Sequence, residues 1–227
     1  MNKMKSGIAF FCSALALLMS GGVLAQDDVR GDRGFYGGLA IGKAKAKLDH
    51  SDFAFNNPGV EESRDETQTV YKVFGGYQFS RYIAAELSYT DFGKFAYIYN
   101  AAPIGLGESR VNYKAKSWAS SAVASIPLGS SRFSAVGRVG VAWNTAERSA
   151  LTGGGFVTNP PIPAASKHRF GLLWGAGGSY DFTPTLALRL EYEDYGKFGE
   201  AAGNGAFIQT TGRATIHMYS LNFIARF

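Results

Sequence analysis

Five ionisable side chains interrupt segments that otherwise alternate between apolar and small residues: Lys72, Glu86, Arg138, Arg189 and Glu191. A charge buried alone is costly, and a hydrogen-bonded partner of opposite sign offsets part of that cost. Buried pairs are mostly structural, although a pair that rearranges can also gate the passage of small ions. These residues therefore indicate either an interior ion-pair network or a gate.

Catalytic chemistry has much weaker support in the sequence. Three histidines follow the first 25 residues, at positions 50, 168 and 217. His168 lies near Ser166 at the top of a predicted strand, whereas His217 is predicted to face lipid with no obvious partner. A hydrolase would need a nucleophile, a base and an orienting group in one place. We predict no enzyme activity, no catalytic residue, no metal site and no cofactor. An outer-membrane lipid-modifying enzyme is the less favoured alternative.

Lys43, Lys45 and Lys47 share one face of the first predicted strand, above Leu39 and Ile41. Long basic side chains near a membrane commonly extend toward water, which is the simpler interpretation. Contact with anionic lipid headgroups, such as lipopolysaccharide phosphates, is the alternative.

Strands rather than helices must position all of these residues, because hydrophobicity repeats at every second residue. From Tyr219 to Phe227 the sequence alternates and stops on an aromatic, as the last strand of a membrane barrel does. Seven further segments alternate in the same way, which predicts eight strands in total. They lie near 35–47, 67–79, 82–92, 113–126, 132–144, 168–182, 185–195 and 213–227.

The connections between these segments alternate in length. Short turns are predicted at 80–81, 128–131 and 183–184. Long loops are predicted near 48–66, 93–112, 145–167 and 196–212. Short turns on one side and long loops on the other are typical of outer-membrane barrels. We therefore predict an all-β, eight-stranded antiparallel up-and-down transmembrane β-barrel with both termini in the periplasm.

The two faces of each predicted strand differ in composition. On the sixth strand, for example, Trp174 and Tyr180 oppose Gly175 and Gly177. Apolar faces with aromatic residues at their ends belong in lipid, and glycine-rich faces belong in a narrow lumen. A soluble eight-stranded barrel is the alternative, but it should not carry outward rows of aromatic residues.

The start of the chain has the features of a secretory signal peptide, with a charged start, a short apolar run and a small-residue cleavage site. We predict a signal peptide over 1–25, a short periplasmic segment over 26–34 and the barrel over 35–227. The single cysteine, Cys12, lies in the removed segment, so the exported protein is expected to contain no disulfide.

The composition agrees with a membrane surface and does not indicate a nucleic acid partner. Removal of Lys3 and Lys5 with the signal peptide lowers the formal net charge from +5 to +3, which is too small to indicate nucleic acid binding. Charged residues make up 18% of the chain. A typical soluble domain has roughly 25% charged residues. The lower fraction fits a surface that faces lipid.

An internal repeat relates the two halves of the predicted barrel. Gly75–Phe95 superposes on Gly178–Phe198 without a gap, and the shift matches half of an eight-stranded barrel. The third and seventh strands are then opposite each other at equal height, and Glu86 corresponds to Arg189. We expect these two side chains to pair across the lumen. Their alternative partners nearby are Lys72, Arg138 and Glu191.

The sequence also resembles a known family. The matching stretches are Phe35-Tyr-Gly-Gly, Phe74-Gly-Gly-Tyr-Gln-Phe, Tyr82 to Tyr89, Tyr113-Lys-Ala-Lys116, Arg138, Trp143, Tyr180-Asp-Phe-Thr-Pro184, Arg189-Leu-Glu-Tyr192 and Ser220 to Phe227. In order and spacing they are similar to the transmembrane domain of the outer membrane protein A family, OmpA.

That resemblance implies a monomeric eight-stranded barrel in the bacterial outer membrane. It implies that Glu86 and Arg189 match members of an interior gate network. Two other positions of that network are Val123 and Ser179 in this sequence, so the second charged pair of the gate is missing. The periplasmic peptidoglycan-binding domain of many members is not expected after Phe227, and barrel-only surface antigens are the more similar relatives.

We therefore expect a structural and surface-interaction role: envelope integrity, with adhesion or recognition through the long loops and at most slow passage of small solutes. The expected partners are outer-membrane lipid, lipopolysaccharide, and ligands on host cells, phages or other cell surfaces. The alternative function is a small gated porin or ion-conducting channel.

Overall fold

The computed structural model describes residues 33–48, 61–100, 108–149, 164–200 and 212–227. These residues form nine β-strands: β1 (Gly34–Leu48), β2 (Glu61–Asp65), β3 (Thr67–Ser80), β4 (Ile83–Asn100), β5 (Glu108–Pro127), β6 (Phe133–Arg148), β7 (Ala165–Asp181), β8 (Leu186–Glu200) and β9 (Gly212–Arg226). Within the same residues, no helix is long and apolar enough to cross a membrane.

The strands close into one antiparallel barrel. Each strand from β3 to β9 pairs with its neighbour in sequence, and β1 joins both β3 and β9. The short β2 precedes β3 in the chain and pairs with the part of β4 that extends past β3 at the long-loop end. β2 and β3 therefore occupy one position in the ring. The ring therefore has eight strands, and the predicted up-and-down barrel is confirmed.

Several strands extend further than the sequence predicted. The loop predicted over 48–66 contains β2, and the loop predicted over 93–112 is largely strand, because β4 and β5 pair from Asn100 and Glu108 downward. Alternation of hydrophobicity stops where the sheet leaves the lipid, but backbone groups still pair above it. The alternation of hydrophobicity thus predicts the membrane-spanning part of each strand, but it does not predict the residue at which the strand ends.

Aromatic residues form two belts on the outer surface. At the long-loop end, Tyr89, Trp118, Trp143 and Phe170 are successive cross-strand partners. At the short-turn end, the ring centroids of Phe133 and Tyr180 lie 4.7 Å apart. Phe133 and Trp143 lie on one face of β6, roughly 33 Å apart along the strand. The usual tilt of barrel strands reduces this to roughly 25 Å, the height of the apolar band in outer-membrane barrels.

The repeated motif forms a β-bulge in each half of the barrel. The register shifts between Asp91 and Lys94 in the pairing of β4 with β5, and between Asp194 and Lys197 in the pairing of β8 with β9. The central glycines of the two bulges have φ values of 79° and 69°, a left-handed conformation that favours glycine. In each bulge the amide of the glycine donates to Oδ1 of the aspartate two residues earlier, at 2.9 and 2.7 Å.

Candidate functional site in the barrel lumen

The centre of the lumen holds a cluster of six buried charges, here called the charge cluster: Lys72, Glu86, Arg138, Arg189, Glu191 and Glu193. The structure places the predicted pair in contact, with Arg189 Nη2 2.8 Å from Glu86 Oε2. The other carboxylate oxygen of Glu86 lies 2.8 Å from Arg138 Nη2. Glu86 is therefore shared between two guanidinium groups that reach it from different strands.

The remaining charges complete a continuous network. Arg138 Nε lies 3.1 Å from Glu191 Oε1, and Arg189 Nε lies 2.8 Å from Glu191 Oε2. Lys72 Nζ donates to Glu193 Oε2 at 2.7 Å and lies 3.9 Å from Glu191 Oε2. Arg138 Nη1 is 3.1 Å from Glu193 Oε1. Three cations thus face three carboxylates, and the balance of charge makes their burial tolerable.

Two members of this site were missing from the predicted network. Glu193 shares the lumen face of β8 with Arg189 and Glu191, so the alternation alone contained the signal for it. The Tyr36 hydroxyl donates to Glu86 Oε2 at 3.2 Å. Its role could not be read from the sequence, because it depends on the distance between two strands that are far apart in the chain.

Glycines on the lumen face provide the space for these long side chains. A Cβ atom at Gly175 would lie 2.6 Å from the Tyr192 carbonyl oxygen and 3.2 Å from Cγ of both Arg138 and Glu193. At Gly177 a Cβ atom would collide with the carbonyl oxygen of Leu190. The absence of side chains at these positions lets the charge cluster occupy the centre of the barrel.

On the long-loop side of the charge cluster lies an apolar plug. Its larger members are Val70, Phe92, Phe95, Tyr113, Leu173, Tyr195, Phe198, Ile216 and Met218. The Phe92 ring makes edge contacts with Tyr195 and Phe198, at centroid distances of 4.9 and 5.5 Å. These three aromatics come from the two repeated motifs, whose bulges turn both Phe92 and Phe95, and likewise Tyr195 and Phe198, into the lumen. The repeat thus builds the plug as well as the ion pair.

On the short-turn side lies a second apolar layer, which includes Tyr36, Phe74, Val136 and Ile224. Val123 belongs to this layer, and Ser179 lies beside it. The two positions at which this chain lacks the second charged pair of the family's gate network therefore lie next to the charge cluster. Below this layer the lumen opens into a cavity of about 440 Å³ at the short-turn mouth, lined in part by Arg81, Ser134 and Arg226.

The three lysines predicted to contact headgroups lie elsewhere, on the outer surface of β1. Lys43, Lys45 and Lys47 are all exposed, and Lys43 Nζ donates to Thr69 Oγ1 at 3.0 Å. The structure therefore separates them from the lumen network, and their role stays a prediction.

The prediction that His217 has no partner is wrong. Its Nδ1 lies 3.5 Å from Asp194 Oδ2, and its ring stacks on Tyr192 at 6.3 Å. In the sequence Asp194 is visible only as part of the repeated motif, but the register of β8 and β9 places it opposite His217. His168 is paired with Thr145 Oγ1 at 3.0 Å on the outer surface. His50 lies outside the described residues.

Comparisons with known proteins agree with this architecture. The sequence model of the family described as "OmpA-like transmembrane domain" matches residues 30–227. No curated protein matches the chain significantly. Among solved structures, neisserial surface protein A is 15% identical, with 86% of this chain and 97% of that chain covered and a TM-score of 0.52.

Two further structures are similar at lower scores. OprG from Pseudomonas aeruginosa is 17% identical, with 88% of this chain and 99% of that chain covered and a TM-score of 0.49. Ail of Yersinia pestis is 16% identical, with 84% and 98% covered and a TM-score of 0.44. The fold, the filled lumen and the family match lead to one conclusion: the chain is a bacterial outer-membrane β-barrel that belongs to the OmpA-like transmembrane domain family.

Proposed function

We propose that the protein is a sealed structural barrel that supports the outer membrane and presents its long-loop end to ligands outside the cell. The observation that carries the proposal is the filling of the lumen by three successive layers of the protein's own side chains. The charge cluster lies between the apolar plug and the second apolar layer. Eight-stranded barrels generally have room for side chains and not for an aqueous channel.

The long-loop end supports the second half of the proposal. β4 continues from the aromatic belt at Tyr89 to Asn100, roughly 36 Å further along the strand. It stays paired there with β5 on one side and β2 on the other. A three-stranded sheet therefore rises above the lipid, and such a rigid base is a suitable support for recognition loops.

Adhesion tests the display half of the proposal. Residues 49–60, 101–107, 150–163 and 201–211 belong to the loops predicted over 48–66, 93–112, 145–167 and 196–212, and they lie outside the described residues. Each of these stretches can be replaced by a shorter Gly-Ser linker in cells that express the barrel. We expect at least one shortened variant to lose adhesion to host cells or phage while its heat-modifiable gel mobility is retained. Normal adhesion by all four shortened variants would contradict surface display.

A gated pore is the second candidate, and one observation favours it. Glu86 and Glu191 each contact two arginines, so either carboxylate can change partner without losing all of its contacts. Single-channel recording on the variants Glu86→Ala and Arg189→Ala tests this candidate. Gating predicts that both variants change the open probability, whereas identical traces from both variants and the unaltered protein leave only the structural role.

Three smaller proposals complete this function. We propose that residues 1–25 are removed on export and that the barrel remains monomeric in the membrane. The mass of the purified protein and its size in detergent check both points.

We also propose that Lys43, Lys45 and Lys47 contact anionic headgroups, which a triple substitution by Gln followed by measurement of co-purified lipid would test.

A further inference from the structure

The repeated motif ends in a lysine in each half of the barrel, and both lysines lie on the outer surface. Lys94 is exposed on β4 and Lys197 is exposed on β8, at corresponding positions after the two bulges. Because β4 and β8 lie opposite each other in the ring, the two lysines mark opposite sides of the barrel at one height.

The side marked by Lys197 includes residues already proposed to contact lipid. Lys197 is the cross-strand partner of Thr215, and Thr215 is the partner of Lys47 on β1. The row beneath it runs from Asp194 through His217 to Lys45. Two lysines of β1 and one of β8 therefore share this surface.

The side marked by Lys94 also carries three lysines, but it has no assigned role. Lys94 is the direct cross-strand partner of Lys114, and Lys116 lies on the same face two residues below. We call Lys94, Lys114 and Lys116 the second lysine cluster. Like charges placed directly opposite each other on a sheet are destabilising, so this arrangement needs a compensating negative charge.

The two neighbouring carboxylates, Asp91 and Glu147, can offset only two of the three positive charges. Asp91 is the cross-strand partner of Lys116, but its Oδ1 accepts the Gly93 amide 2.9 Å away and makes no ion pair. Glu147 is the partner of Lys114 on the other side. Within the part of the chain that the structure describes, no ion pair joins either carboxylate to the three lysines.

The height of the second lysine cluster identifies the source of a compensating anion. Lys116 lies on the same face as Trp118 and one step above it, and Trp118 belongs to the aromatic belt with Tyr89 and Trp143. Aromatic belts mark the boundary between hydrocarbon and headgroups. Lys116 and Lys114 then lie roughly 7 and 13 Å above Trp118 along the strand, which is headgroup level.

We propose that the second lysine cluster is a binding site for the phosphate groups of an anionic lipid in the outer leaflet. The lysines supply the charge, and the Thr145 hydroxyl, which lies next to Lys116 and 3.0 Å from His168 Nδ1, supplies a hydrogen-bonding group beside it. The two halves of the repeat would then bind lipid on opposite sides of the barrel. This inference goes beyond the sealed-barrel function and does not depend on the contact proposed for the lysines of β1.

The test uses a background from which the lysines of the other side are already removed, with Lys43→Gln, Lys45→Gln, Lys47→Gln and Lys197→Gln combined. The barrel is placed in phosphatidylcholine nanodiscs and titrated with bis-phosphorylated lipid A, and bound lipid is counted by native mass spectrometry. The test variant adds Lys94→Gln, Lys114→Gln and Lys116→Gln. The control adds Arg33→Gln, Arg81→Gln and Arg132→Gln instead, which removes three charges at the short-turn end.

We expect the test variant to bind lipid A at least about tenfold more weakly than the background protein, because each basic side chain near an anionic surface adds to the attraction. The control variant should keep the affinity of the background protein, and heat-modifiable mobility should show that every variant forms the barrel. Equal affinity in test and control variants would overturn the proposal. Equal binding of dephosphorylated lipid A would also overturn it, since the contact would then not involve phosphate.

Discussion

At the scale of single residues, Arg138 holds the centre of the lumen together. Its guanidinium group contacts all three carboxylates of the charge cluster: Glu86, Glu191 and Glu193. Arg189 contacts two of them. Removal of one partner from a buried network leaves an uncompensated charge, which generally costs more than the pair itself contributed.

The substitution Arg138→Met is therefore expected to lower the free energy of unfolding by about 3–5 kcal/mol, because three carboxylates would remain with two cations. Urea titration of the barrel in lipid vesicles measures this change. Arg132→Met, at an exposed position on a short turn, is the matched control and should change stability by less than about 0.5 kcal/mol. Equal midpoints for the two variants would show that Arg138 is not central.

A second prediction at this scale separates two glycines of similar appearance. Gly177→Ala should destabilise the barrel by about 1–3 kcal/mol, because the new Cβ collides with the Leu190 backbone and crowds Glu191. Gly137→Ala is the control, because nothing lies within 4 Å of its Cβ position. The folded, heat-modifiable fraction after refolding compares them. A Gly177→Ala protein that refolds as fully as the control would contradict the close packing of the lumen.

The sequence predicted part of this residue-scale picture. Parity along β8 put Arg189 and Glu191 in the lumen, and the repeat put Glu86 opposite Arg189. What could not be predicted is which carboxylate each cation would reach, since that depends on side-chain lengths across a closed ring. Lys72, for example, was proposed as an alternative partner of Glu86 but donates to Glu193.

At the scale of elements, the two β-bulges decide what fills the outer part of the lumen. Simple alternation would place Phe92 and Phe95 on opposite faces, because three positions separate them. The extra residue at Gly93 shifts the parity, so both rings are buried inside the barrel. The motif was visible in the sequence as a repeat, but its effect on parity needed the register of the paired strands.

Substitution of either bulge glycine should weaken this element through the backbone alone. Gly93→Ala is expected to cost about 1–2 kcal/mol, because a left-handed conformation is unfavourable for a residue with a Cβ. The nearest atom to the new Cβ, the carbonyl oxygen of Thr69, lies 3.5 Å away, so no collision adds to this cost. Urea unfolding measures the change, with Gly137→Ala again as the control. A Gly93→Ala barrel as stable as this control would show that the bulge tolerates any residue.

The lengths of the strands were the least predictable property at the element scale. The sequence predicted the membrane-spanning part of β4 over 82–92, whereas the strand runs to Asn100. Lipid imposes alternation only where the strand is in contact with it, and the register above the membrane is set by backbone pairing. The sequence therefore predicts loop for the part of the barrel that rises above the lipid.

At the scale of the whole molecule, the barrel is a closed sheet around a filled interior. A closed sheet pairs its backbone groups inside the membrane without leaving an exposed edge. The lumen contains an apolar plug, a balanced charge cluster and a second apolar layer in series. A conducting path would have to pass all three, so the loss of one layer is not expected to open the barrel.

This reasoning predicts the behaviour of a plug variant. Replacement of Phe92, Tyr195 and Phe198 by Ala together should destabilise the barrel strongly, since burial of aromatic side chains contributes about 3–5 kcal/mol each. It should not create a steady pore, because the charge cluster still closes the lumen beneath. A large, continuous current in bilayer recordings of the folded triple variant would contradict this prediction, because it would show that the apolar plug alone closes the lumen.

The most direct test of the sealed barrel is the conductance of the unaltered protein. The exported chain is purified, folded in detergent, checked by heat-modifiable mobility and inserted into a planar lipid bilayer in concentrated potassium chloride. The filled lumen predicts no steady conductance above that of the bare membrane. A stable, ohmic current through each inserted molecule, of the size carried by wide aqueous porins, would contradict the account.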